Sequence, residues 1–238
     1  MSGLGILGGT FNPLHNGHIR LALEAGELLK LDKVFLTPCA QPPHKDGEGI
    51  LPFKLRVQCI REAVKGIVLL EVNTLEGELK GPSYTWNSLK EWRSRHPEAG
   101  LPFFIMGSES FSALHLWHRG EELPQIARLV MVPRDGEDGR VFCESIHRIW
   151  PGSISKSMQP PSEPVTIFLT GGGTCLFLPV PRLDISATVV RDYWRKGRRL
   201  EGLVPPCVLS ILEKHRQEVD ACWGEEDLPK KGPFWGKR

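Results

Sequence analysis

The chain has 238 residues, 40% of them hydrophobic, and a formal net charge of +2. That is enough apolar material for one sizeable core and too little positive charge for wrapping nucleic acid, and no apolar run approaches a membrane span. The six cysteines (Cys39, Cys59, Cys143, Cys175, Cys207, Cys222) lie far apart with no C-x-x-C pair, so neither a zinc site nor a disulfide framework is signalled; they read as reduced thiols of a cytoplasmic protein, and no signal region precedes the first apolar run.

Residues 4–7 are short, apolar and flanked by glycine, as a buried parallel strand requires. The run from Gly8 to His18 (GGTFNPLHNGH) then turns the strand into a helix predicted over residues 18–30, where Leu21, Ala25 and Leu28 recur at helical spacing. Gly8 and Gly9 let backbone approach a ligand closely, and a loop ending at a helix N-terminus is an anion site to which His15 and His18 add donors. The run is neither a G-x-G-x-x-G fingerprint nor a P-loop, since no lysine followed by Ser or Thr closes it.

Residues 34–37 read as a second strand, ending at Pro38. The loop 39–47 follows, stiffened by Pro42 and Pro43 and presenting His44 and Lys45 from the strand's C-terminal end, where open α/β sheets bind their ligands. A helix over 52–65 and a strand over 68–72 come next. Gly81-Pro82-Ser83-Tyr84-Thr85 opens a further helix running to about residue 95, with Ser83 as its N-cap. Residues 101–106 form a strand leading into Gly107-Ser108-Glu109, a small turn whose acid suits ribose hydroxyls; Trp117 beyond it supplies a flat stacking face.

A helix over 121–127 and a strand over 128–132 precede a stretch, 133–164, in which the pattern weakens. Residues 165–169 read as a strand, Gly171-Gly172-Gly173 as a turn, and 176–180 as another apolar run. Asp184-Ile185-Ser186-Ala187-Thr188-Val189-Val190-Arg191 starts a helix stopped at Gly197; its hydroxyls, N-terminal amides and Arg191 can converge on one oxyanion. Arg191, Arg195, Lys196, Arg198 and Arg199 form a basic cluster, in part a solvated helix face. A final helix spans 204–215; beyond Val219 the composition is that of a frayed tail, with the docking of Trp223 and Trp235 left open.

As a set, these motifs resemble the bacterial nicotinate mononucleotide adenylyltransferases, within the H-x-G-H nucleotidyltransferase superfamily. The G-G-T-F-x-P-x-H-x-G-H run and the I-S-x-T-x-x-R run at 185–191 mark the superfamily, whereas Gly81 to Thr85 and Trp117 favour the pyridine mononucleotide branch; residues 134–183 match least. The resemblance implies an α/β, Rossmann-like open parallel sheet with helices on both faces. It implies one domain over 1–219 with a variable insertion about 134–164, and a C-terminal tail over 220–238 that is expected to be mobile.

The activity implied is transfer of AMP from ATP to nicotinate mononucleotide, giving the deamido-NAD dinucleotide and pyrophosphate, with Mg2+ as cofactor and neither nucleic acid nor membrane as partner; a homo-oligomer is left open. By the same resemblance His15, His18, Lys45 and Arg191 would be catalytic, and Gly8, Gly9, Thr10, Gly107, Glu109, Ser186 and Thr188 would bind ATP. His44, Tyr84, Thr85 and Trp117 would bind the pyridine mononucleotide, Tyr84 and Thr85 at its carboxylate, and no protein-held metal is implied. Asn12, Asn87 and Glu109 stand where the family usually has Asp; the two asparagines keep hydrogen-bonding shape and are expected to matter little, whereas Glu109 is one methylene longer at the ribose contact. Two other readings remain: a related enzyme such as phosphopantetheine adenylyltransferase or a cytidylyltransferase, and a catalytically silent dinucleotide sensor.

Overall fold

Neighbouring strand residues point to opposite faces of a sheet, and in this chain both faces are apolar, so helices must cover both. In a computed structural model, which describes residues 3–42, 49–133, 139–155, 158–181 and 183–224, they do. The strands are β1 (Gly3–Gly9), β2 (Leu31–Pro38), β3 (Leu70–Val72), β4 (Phe103–Gly107), β5 (Arg128–Val132), β6 (Val165–Phe168) and β7 (Thr174–Phe177). They form one sheet in the order β3-β2-β1-β4-β5-β7-β6, parallel except for β6, which pairs antiparallel with β7.

The register lines up two rows across this sheet. Phe35, Ile6, Phe104, Leu129 and Cys175 form one, and Leu36, Leu7, Ile105, Val130 and Leu176 the next, facing the other way. The second row is covered by α1 (Asn16–Leu28), α2 (Phe53–Val64), α6 (Ala187–Arg195), α7 (Pro206–Lys214) and α8 (Arg216–Trp223). The first is covered by α3 (Thr85–Arg95), α4 (Ser108–Ser112) and α5 (Arg140–Ile149), which bring Trp86, Leu89, Trp92, Phe111, Phe142 and Ile146 into that core. Each such side chain contributes about 1.5–3 kcal/mol.

Several elements differ from the sequence reading. α1 starts at Asn16, with His15 at its N-cap, so both histidines belong to the helix start and not to the loop before it. α3 is capped at Tyr84; the Ser83 hydroxyl accepts instead from the backbone N–H groups of Ala40 (3.0 Å) and Gln41 (2.9 Å), tying this turn to the end of β2. β3 begins only at Leu70, because Val68 is left 83% exposed on the approach to it. The predicted 121–127 helix is a 3₁₀ turn over Gly120–Gln125, with Pro124 inside it denying an α-helical hydrogen bond.

The weakly patterned stretch contains α5, whose Phe142, Ile146 and Ile149 sit on one face; the surrounding Gly, Pro and Ser masked that short periodicity. The apolar run predicted at 176–180 is the second half of a hairpin, joined to β6 through the glycine turn in which Leu169 N–H donates to Gly173 O. Near the end of the described chain, Trp223 packs edge-on against Trp194, with ring centres 5.9 Å apart, and Trp194 Nε1–H donates to Asp220 at 2.7 Å. Residue 235 lies outside the described residues.

Candidate active site

The chain leaves β1 for one half of the sheet and returns at β4 to begin the other, so the crevice beyond the C-terminal ends of β1 and β4 is the place where such sheets bind ligands. Two cavities open there. One, of about 490 Å3, is lined by Gly8, Gly9 and Thr10, by Cys39 and Glu76, by Tyr84 and Thr85, and by Gly107, Glu109, Trp117 and His118. The other, of about 500 Å3, is lined by His15, His18 and Arg20 and by Asp184, Ser186 and Thr188, and it also touches Glu109. Glu109, exposed in the first turn of α4, therefore stands between them.

The second cavity is built from backbone polarity. α1 and α6 both begin at it, and the first amides of a helix have no intrahelical acceptor, so two positive dipole ends face one space. His15 is buried and stacks on His18 with ring centres 3.6 Å apart. The His15 backbone N–H donates to His18 Nδ1 at 3.3 Å, which leaves Nε2 as the protonated nitrogen of a neutral ring and hence as a donor. Gly17 makes the junction of the two helices possible: a Cβ there would lie 3.0 Å from His15 Nδ1 and 3.3 Å from the Ile185 carbonyl. Ser186 caps α6, its Oγ accepting from Val189 N–H at 3.2 Å.

Arg191 does not line either cavity. It donates to the Asn12 carbonyl (2.8 Å) and to Thr188 Oγ1 (3.2 Å), so it fastens α6 to the β1–α1 loop; burial, then Arg195, lowers its pKa from the usual guanidinium value. The loop has a second fastening that the sequence did not disclose. Arg56 on α2 is buried and donates to Thr10 O (2.7 Å) and Leu51 O (2.8 Å), and its pKa too is lowered by burial, against the opposing pull of Cys39 and Glu76. The only sequence signal for it was a charge inside the apolar stripe of Leu55, Cys59 and Ile60. Asn12 is likewise buried: its Nδ2 donates to Gly49 O (2.6 Å) while its Oδ1 accepts from Leu51 N–H (2.9 Å). Asn12 thus holds the loop through both ends of its amide, and the first of these bonds needs an N–H donor that an ionised aspartate lacks.

The first cavity is built from side chains of distant segments. Glu76 accepts from Ala40 N–H (3.1 Å) and from Ser88 Oγ–H (2.8 Å), and with Ser83 it ties the end of β2 to the start of α3. Beside it, burial and then the Glu76 charge push the Cys39 thiol up to about 12, so Cys39 is an inert wall and not a nucleophile. At the N-terminus of α3 the Thr85 amide has no acceptor among the described residues. Half-buried Trp117 closes the other side, and Gly8 keeps the floor open to Phe104, whose ring would sit 3.0 Å from a Cβ. His44 and Lys45 lie outside the described residues.

Among the described residues no three His, Cys, Asp or Glu side chains gather as a metal cage. Glu109 and Asp184 are the carboxylates on the second cavity. This sparse donor set fits a hard cation that keeps its waters and is carried on substrate phosphates. No helix among the described residues is long and apolar enough to cross a membrane.

Comparison with known proteins agrees with this architecture. Residues 6–193 match the cytidylyltransferase-like family. A protein of Pelobacter propionicus named as a probable nicotinate-nucleotide adenylyltransferase is 35% identical over 213 residues, covering 90% of this chain and 96% of its own. One of the same name from Maridesulfovibrio salexigens is 31% identical, covering 92% and 99%. Among solved structures, the Plasmodium falciparum nicotinic acid mononucleotide adenylyltransferase complexed with NaAD superposes with a TM-score of 0.68 over 92% of this chain and 98% of that one; at 17% identity the likeness is one of fold.

Proposed function

We infer that this chain, which belongs to the cytidylyltransferase-like family and within it to the nicotinate-nucleotide adenylyltransferases, transfers the adenylyl group of ATP to nicotinate mononucleotide. The observation that carries the reading is the pair of cavities meeting at Glu109 over the β1/β4 crevice, one walled by aromatic and apolar groups and one by helix N-termini and histidines.

The reaction is an in-line displacement. A phosphate oxygen of the mononucleotide forms a bond to the α-phosphorus of ATP as the bond to the bridging oxygen of the β-phosphate breaks, and that oxygen's electron pair leaves with pyrophosphate. No covalent enzyme intermediate is needed, so the protein's work is positioning and charge stabilisation. The pyridine mononucleotide occupies the first cavity, with Trp117 against its ring and Tyr84 and Thr85 at its carboxylate. The triphosphate lies across the N-termini of α1 and α6, taking hydrogen bonds from His18 Nε2–H, from His15 and from Ser186 and Thr188. Gly8, Gly9, Thr10 and Gly107 provide close backbone, and Glu109 reaches ribose hydroxyls. Arg191 holds the β1–α1 loop against α6 and adds positive charge behind the phosphates; Lys45 and His44 are assigned to the same reaction from their motif alone. Glu109 and Asp184, the carboxylates on the second cavity, would hold through its waters a magnesium ion carried on the ATP phosphates, which would supply charge neutralisation for the leaving pyrophosphate. The cytoplasm, where both substrates and reduced thiols are at home, is the proposed place of action.

The test is pyrophosphate release by the purified chain with ATP and magnesium, comparing nicotinate mononucleotide, nicotinamide mononucleotide and phosphopantetheine. Turnover with a pyridine mononucleotide that collapses in His18→Ala is expected. Turnover with phosphopantetheine alone, or binding of a dinucleotide without any turnover, overturns the reading.

A further inference from the structure

Two arginines hold the β1–α1 loop, and they hold different kinds of peptide. Arg191 Nη1 donates to the Asn12 carbonyl at 2.8 Å, and that carbonyl belongs to the bond into Pro13, which carries no N–H. Arg56 Nη1 donates to the Thr10 carbonyl at 2.7 Å, and that carbonyl shares its peptide with the N–H of Phe11. Only the second grip acts on a group that can donate in turn. Arg56 is 1% exposed and its Nε is taken by Leu51 O at 2.8 Å, so its guanidinium is fixed in place.

The backbone of Phe11 is left-handed, with φ of 48°, a conformation that a residue other than glycine keeps only where its surroundings hold it. Its ring is buried, 4.8 Å from the centre of the His18 ring, and a Cβ on Gly9 would come within 3.3 Å of it. On one side Arg56 holds the Thr10 carbonyl, and on the other Asn12 is held by Gly49, Leu51 and Arg191. A trans peptide points its N–H away from its carbonyl. Arg56 reaches the loop from α2, on the face of the sheet that α1 and α6 cover, whereas Thr10 lines the first cavity, whose floor includes Ile6 and Phe104 of the opposite face. The Phe11 N–H is thereby turned from α2 towards the crevice, and it finds no acceptor among the described residues.

We propose that Arg56 is a positioning residue for adenylyl transfer, acting through the Thr10–Phe11 peptide to fix and polarise the Phe11 N–H as a donor to the phosphates that meet in the crevice; this rests on the adenylyl-transfer reading above. A charged donor on the carbonyl draws electron density across the peptide, which makes the N–H at its other end a stronger donor. Charge moves onto phosphate oxygens as the bond to the leaving oxygen stretches, so a donor already aimed and polarised counts for more in the transition state than with bound substrate. Its loss therefore falls on kcat more than on KM. A residue that only braced the fold would change the amount of folded protein and neither constant.

The experiment replaces the Thr10–Phe11 amide by an ester, using the α-hydroxy acid counterpart of phenylalanine at position 11, which deletes the N–H and keeps the side chain. With ATP, magnesium and nicotinate mononucleotide, kcat per folded chain and both KM values are measured for the unaltered chain, the ester chain, Arg56→Gln, Arg56→Lys, and the ester chain carrying Arg56→Gln. The ester and Arg56→Gln are each expected to lower kcat about tenfold or more, with KM values within about threefold. Arg56→Lys keeps a charged donor and is expected to recover part of that loss. In the ester chain Arg56→Gln is expected to cost less than about twofold further, because both changes act on one group. Where Arg56→Gln does not fold, Arg56→Lys enters the cycle in its place, with a loss of about threefold that again vanishes in the ester chain. An ester chain with unchanged kcat, a folded Arg56 variant of the cycle that keeps full kcat, or losses that multiply when combined overturns the role of Arg56 alone. An unaltered chain that releases no pyrophosphate with either pyridine mononucleotide overturns adenylyl transfer itself, and this inference with it.

Discussion

The two cavities share Glu109 and little else. The second draws its polarity from the ends of α1 and α6 and from histidines three residues apart, all supplied by two contiguous motifs. The first is assembled from the ends of β1, β2 and β4, the start of α3 and the turn at 117–118, and is held in shape by Glu76 and Ser83. An anion site can be written locally, because a helix N-terminus is a local object; a shaped pocket for a ring cannot, because its walls are opposite sides of the fold.

The largest expected effect separates the two. His18→Ala removes a donor from the second cavity and is expected to lower kcat about a hundredfold or more, while binding of nicotinate mononucleotide, followed by calorimetry, changes less than about twofold. Equal losses in both would mean that the cavities are not independent. Trp117→Ala is the mirror experiment: an increase of about tenfold in KM for the mononucleotide, with the KM for ATP unmoved.

A smaller effect probes the loop that borders both. Asn12→Asp sets a carboxylate against the Gly49 carbonyl in a buried place and is expected to cost about 1–3 kcal/mol in urea unfolding. No loss would show that the Gly49 bond is dispensable.

The smallest effect near neutral pH concerns the buried thiols, of which Cys39 alone lines a cavity. Burial raises the Cys39 thiol, with help from Glu76, and the Cys59 thiol, each to about 12 from 9.0, and burial raises Cys175 further still. The folded state therefore keeps protons that the unfolded chain releases above about pH 9. Stability contributed by these neutral thiols is full below that pH and is lost progressively as pH rises towards about 12. Thermal melts across this range should show the decline, and substituting Cys39 and Cys59 by alanine should make it shallower.

Much of the frame was legible. The apolar runs at 4–7 and 101–106 became β1 and β4 because strands buried on both faces read as continuous hydrophobic segments, and glycine or small residues marked their ends. α5 was missed because ten residues give under three turns of periodicity, among Gly, Pro and Ser that signal loop. Ser83 was misread since a serine before a helical pattern is ordinarily a cap; its true partners, Ala40 and Gln41, are more than forty positions away.

What the sequence alone determined is the chemistry of the loop from Gly8 to His18 and of the run from Ile185 to Arg191, with the α/β class that carries them, because residue types, helix starts and alternation are local properties. Only the tertiary structure decided that α1 and α6 begin at one cavity, that Arg191 and Arg56 both grip the loop, at Asn12 and at Thr10, and that Trp117, His118 and Tyr84 line the same cavity. Those arrangements depend on crossover connections and on the close approach of Gly17 to Ile185, distances that exist only once the sheet has formed and its two faces are packed.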